Sequence, residues 1–166
     1  MRFLTLEETK DWCVNSGYKL LDDGKPPKPS CEKHNIHLDI PQSYTKLTWF
    51  SQHLEFSLRP REACLFWVTD WGIWNENLHL YYKLRQSYGD QRLIHEAPGH
   101  LFLSYESVDL ASFIEVAIIC GWDVHLLPTV GYSRAFISHD EFVEFSSDEN
   151  NPDLVEDFAK ELINKK

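Results

Sequence analysis

The chain has 166 residues, 43% hydrophobic and 14% aromatic, with a formal net charge of −10. That length fits one domain and the apolar content can fill a core, which excludes whole-chain disorder. The acidic excess is concentrated late: residues 1–60 carry eight basic and eight acidic groups, residues 61–100 four and five, and residues 101–166 four and thirteen.

A field of that sign repels phosphate backbones, so nucleic acid is disfavoured as a partner and a basic protein is permitted. Solubility alone is the bland explanation of the same charge. No apolar run approaches the roughly 18 residues of a membrane span. Met1 to Glu8 lacks the basic start and apolar stretch of a signal peptide. Cys13, Cys31, Cys64 and Cys120 are widely and irregularly spaced, which does not suggest a disulfide framework. The expected compartment is the cytosol, with no membrane partner.

In chain order, Thr5-Leu6-Glu7-Glu8 has the form of a capping box and opens a helix that stops at Gly17. Tyr18 to Leu21 reads as a short strand and Asp22-Asp23-Gly24 as a turn. Residues 25–30, with three prolines, read as an exposed Pro-rich loop inside the domain. Ile36 to Ile40 alternates as an edge strand. Leu47, Phe50, Leu54 and Leu58 place a helix over 43–58. Ala63 to Val68 is apolar on both faces, which predicts a central strand of a covered sheet. Asn75 can cap a helix over 76–88 that ends at Gly89. Pro98-Gly99 predicts a turn before a strand from His100.

Asp109 to Cys120 predicts a helix stopped by Gly121. Strands follow over 122–127, 132–139 and 141–145. An acidic loop and terminal helix occupy 148–166, with Leu154 and Phe158 inward. These elements predict a single α/β domain, 1–166, in which a small mixed sheet is flanked by helices in a two- or three-layer sandwich.

Catalytic candidates are few. His95-Glu96-Ala97-Pro98-Gly99-His100 sets two histidines five apart, where a zinc-protease pair needs four on one helical face, and Pro98-Gly99 forbids a regular helix between them. His95 and His100 remain weak metal candidates across a turn. Cys31, His34 and His37 form C-x2-H-x2-H, three ligands without a near fourth. Ser104 and Ser138 lack the glycines of a nucleophile elbow, and Cys64 and Cys120 sit in apolar elements, where a thiol is inert packing. Asp70, Glu76, Asp90 and Glu96 lie near element ends, where paired acids could do general acid–base work. No phosphate-cradling glycine loop occurs, and no cofactor is implied.

Two features point to binding instead. Trp67, Trp71 and Trp74 fall within eight residues at the end of the buried strand, where they can build core or line a cleft. Ser138-His139-Asp140-Glu141, with Glu144 and Asp148, offers an acidic docking face, or charges that protect an edge strand. The partner-binding candidates are therefore Trp71, Trp74, Tyr82, Asp140, Glu141, Glu144 and Asp148.

The runs WVTDWGIWNENLHLYYKLRQSYGD (67–90), HEAPGHLFLSYESVDLASF (95–113), GWD (121–123) and AFISHDEFVEF (135–145) resemble a family of small, uncharacterised bacterial cytosolic proteins over roughly residues 62–146. In size, charge and setting such proteins are similar to immunity proteins, which neutralise a toxin by binding it. The resemblance implies a non-catalytic protein that inhibits a basic toxic enzyme through an acidic, aromatic surface. The alternatives are a small hydrolase or metal-binding protein using His95, Glu96 and His100, and a structural or assembly subunit, for example a homodimer through its aromatic surface.

Overall fold

The computed structural model describes residues 1–29, 34–58, 62–72, 78–129, 133–147, 153, 156–158 and 160. The capping box forms as its residues dictate. Thr5 Oγ1 accepts the Glu8 amide at 3.2 Å, and the Glu8 carboxylate accepts the Thr5 amide at 2.7 Å. Helix α1 (Leu6–Asn15) follows and ends where the Tyr18 amide reaches back to the Cys13 carbonyl.

Seven strands make one sheet: β1 (Arg2–Leu4), β2 (His34–Asp39), β3 (Ala63–Asp70), β4 (Gly99–Leu103), β5 (Asp123–Pro128), β6 (Ser133–Ser138) and β7 (Phe142–Ser147). Their order is β1-β4-β3-β5-β6-β7-β2. Further helices are α2 (Tyr44–Leu58), α3 (Leu78–Ser87) and α4 (Ser107–Cys120), and residues 153, 156–158 and 160 near the C-terminus are helical too. The α/β domain read from the sequence is present, but its sheet is antiparallel at all six pairings rather than mixed. The helix-linked strands suggested parallel crossovers. Instead the segment after α3 returns the chain so that β4 runs against β3, with Ala63 opposite Leu103 and Trp67 opposite Gly99.

The side-chain alternation of β3 divides the core in two. Cys64, Phe66 and Val68 join the cluster under α2, α3 and α4, whereas Ala63, Leu65 and Trp67 join the cluster under α1. β3 is therefore covered on both faces, in the middle of three layers, which explains why its sequence is apolar without interruption. Helix α1 can press on β4 because Gly99 has no side chain: a Cβ there would stand 2.1 Å from Thr9 Oγ1. That close approach, not a turn, is the use of Gly99, which begins the strand. Phe158 closes the other layer against Phe50 and Phe145.

Three expectations change at the N-terminal third. Residues 2–4 form β1, paired with β4, which no sequence signal marked. Residues 18–21 are not a strand, because they lie across the face of the sheet, where no ladder partner exists. Tyr18 donates its hydroxyl to the Pro128 carbonyl at 2.7 Å. The proline-rich loop is partly covered rather than exposed: Pro26 and Pro29 are buried, and Lys28 Nζ sits 4.1 Å over the Phe136 ring. Packing against an apolar sheet face outweighed the polarity of the loop. Among the described residues no helix is long and apolar enough to cross a membrane.

Candidate partner-binding surface

Strand register brings scattered carboxylates to one end of the sheet. Strand β3 ends at Asp70, opposite Asp123 at the start of β5. Strand β6 ends at Ser138, opposite Phe142 of β7, which is also opposite Asp39 at the end of β2. The turn between β6 and β7 adds Asp140 and Glu141 at the same end. Glu141 holds a left-handed conformation, φ 65°, that tightens this turn.

His139 is fixed among these acids. Its Nδ1 and its amide both meet Asp123 Oδ1, at 2.8 and 2.9 Å, and its Nε2 stands 3.6 Å from Asp140. The hydrogen bond and charge of Asp123 raise the imidazole pKa above its usual value, with smaller help from Asp140 and Asp70. Gln42 donates to Glu141 at 3.0 Å. Beside His139 and Glu141 opens a groove of about 270 Å3, whose apolar lining includes Tyr44, Ile118 and Ile119. Tyr44 is 78% exposed and Ile119 48%. The groove thus sets the exposed apolar side chains Tyr44 and Ile119 beside the polar groups Gln42, Ser138, His139 and Glu141.

The sequence candidates divide accordingly. Asp140 and Glu141 lie at the acidic end. Trp71 follows Asp70, with its half-buried ring set edge-on to Trp122 at 4.9 Å and tilted on Tyr81 at 5.7 Å. It also lines a separate cleft of about 240 Å3 with Trp67, Lys10 and Lys25. Trp67 itself is core. Glu144 projects from mid-strand β7, at the register position of His37, and is half-buried. Tyr82 is held elsewhere, its hydroxyl donating to the Gln91 carbonyl at 3.1 Å. Trp74 and Asp148 lie outside the described residues. Sequence reasoning missed Asp39, Asp123 and Tyr44. Each is unremarkable alone, and only the strand register and the packing of α2 bring them to this end.

The metal candidates do not come together. His95 is exposed on a single 3-10 turn, residues 94–96. His100 is fully buried, its Nε2 against the Tyr81 hydroxyl and its Nδ1 3.3 Å from the Phe66 carbonyl. Burial, then the nearby Arg85 charge, push its pKa down to about 3. Glu96 caps its own turn by accepting the Leu93 amide. His34 and His37, three apart on β2, point to opposite faces. Cys31 lies outside the described residues. Among the described residues no three His, Cys, Asp or Glu side chains are placed to hold a metal.

The acid–base candidates also separate. Asp70 is exposed at the acidic end and Glu76 lies outside the described residues. Asp90 is buried in an ion network, bonded to both Arg85 and Arg92. Burial raises the pKa of Asp90, but the hydrogen bonds from Arg92 and Arg85 outweigh that and hold it below the usual carboxylate range. Arg85, fully buried, also donates to the Ile94 carbonyl and lies over the Phe3 ring. Burial pushes the thiol of Cys13 up to about 12 and raises those of Cys64 and Cys120. These are packing groups rather than nucleophiles.

Compared with protein-family models, curated proteins and solved structures, the chain matches none.

Proposed function

We propose that the protein acts in the bacterial cytosol by binding a basic protein partner, most concretely as an immunity-type inhibitor of a basic toxic enzyme. The observation that carries this reading is the convergence of Asp39, Asp70, Asp123, Asp140 and Glu141 on one end of the sheet, beside the groove of Tyr44 and Ile119. Carboxylates at the rim steer a cationic surface and fix its register, while Tyr44 and Ile119 supply the anchor contacts. The burial and bonding of His100 and Asp90 support a non-catalytic role for the 90–100 region.

Co-expression with a toxic enzyme encoded next door tests the reading. The wild-type chain restores growth and co-purifies with that enzyme. The Asp140→Lys, Glu141→Lys double variant, altered only at exposed positions, restores it much less. A neighbouring product that is neither bound nor neutralised contradicts the proposal.

A further inference from the structure

The acidic end is one terminus of a longer feature. Helices α2 and α4 pack antiparallel, with Thr48 Oγ1 bonded to Glu115 at 2.9 Å near one end of the pair. Toward the other end they enclose a second groove of about 210 Å3, lined by Gln52, Glu55, Val108, Ala111 and Glu115 among others. Ala111 and Ser107 keep its floor low. Val108 stands at its mouth and Tyr105 in the turn before α4, each 79% exposed. The seam thus runs from Tyr44 and Ile119 past Glu115 to Glu55, Val108 and Tyr105. It is about 20 Å long, the length of the 14-residue helix α4 at 1.5 Å per residue.

The charged side chains that line the α2–α4 groove, Glu55 and Glu115, have one sign. Helix α4 carries Asp109 and Glu115 and no lysine or arginine. Glu55 is half-buried and makes no hydrogen bond or ion pair among the described residues, and burial raises its pKa. A carboxylate that is partly desolvated and unpaired gains most from a cation brought to it. A second copy of this chain would set like charges against each other, so the seam does not complement itself.

We infer that the α2–α4 seam is the docking site for a basic amphipathic helix of the protein partner. Its cationic side chains meet Glu55 and Glu115, and its apolar side chains cover Val108, Tyr105 and Ile119. This is the helix-in-groove mode of recognition, in which apolar anchors recur along one helical face. The inference rests on the reading that the partner is a basic protein, and adds which part of the partner docks and where.

The test uses the full isotopically labelled chain and a synthetic amphipathic helix of about 14 residues, the seam's length, with leucine and arginine on one face. The expected result is amide shift changes at residues 48, 52, 55, 108, 112 and 115. Val108→Asp should weaken binding about tenfold, the scale of one lost interface anchor. Glu55→Gln with Glu115→Gln should remove most of the salt dependence, and a peptide with glutamate for arginine should not bind.

Shifts confined to residues 39, 70, 123 and 139–141 would overturn the seam while leaving a basic partner in place. Unchanged affinity in Val108→Asp would overturn it too, as would shifts that appear on concentrating the chain alone, the mark of a second copy. If the peptide binds nowhere and the neighbouring toxin is not bound, the basic-partner reading fails with it.

Discussion

Arg85 and Asp90 show how burial reassigns residues that look chemical. Arg85 has no exposed surface, and Asp90 supplies its counter-charge while also holding Arg92, which in turn donates to the Phe3 carbonyl at 2.9 Å. Replacing Asp90 with Asn leaves a buried guanidinium without its anion. The expected loss is about 3–5 kcal/mol of unfolding free energy, read from denaturant curves. His100 and His125 are likewise buried and neutral. Burial lowers each pKa from 6.5 to about 3, helped at His100 by Arg85 and at His125 by Arg134 and Lys28. Between those values the unfolded chain takes up protons that the folded chain refuses. Stability therefore falls as pH drops below 6.5, by up to about 1.4 kcal/mol per pH unit for each histidine. Denaturation midpoints from pH 7 to pH 4 check this, and His125→Gln should flatten the slope. A pH-independent midpoint contradicts it.

At the scale of elements, local signals predicted local structure. The Thr5 capping box, the uninterrupted apolar run of β3 and the glycines behind α1, α3 and α4 were all legible, because each expresses its preference within a few residues. What could not be read was pairing at a distance. Strand β1 exists because Phe3 finds His100, and Pro26 and Pro29 are buried in a loop whose Lys28 stands over the Phe136 ring. The end of β3 combines both kinds of constraint. The register with β5 shifts between Val68 and Asp70, and the chain then turns through Gly72, whose amide bonds Asp70 at 2.9 Å. Gly72 has φ +67°, and a Cβ there would stand 2.5 Å from the Gly121 carbonyl oxygen. Gly72→Ala should cost about 1–3 kcal/mol from backbone strain and displacement of the α4–β5 turn. Thermal unfolding measures it, and an unchanged midpoint would show that the turn relaxes freely.

For the whole molecule, the total charge matters less than where the fold collects it. The composition showed a skew toward residues 101–166, and the sequence pointed to Asp140 and Glu141. It could not show that Asp39 and Asp70, from segments of balanced charge, join them, since that follows from sheet order. Nor could it separate Trp67, which is core, from Trp71, which keeps a half-exposed edge. The acidic end and the α2–α4 seam meet at Ile119, so one partner could engage both.

The most direct measurement is the dissociation constant of the proposed complex with a basic toxic enzyme encoded next door, as a function of ionic strength. An acidic surface that steers a basic partner predicts steep weakening with salt. It also predicts that Asp140→Lys, Glu141→Lys slows association more than it speeds dissociation. An affinity that is independent of salt and unchanged in the double variant would contradict the central claim.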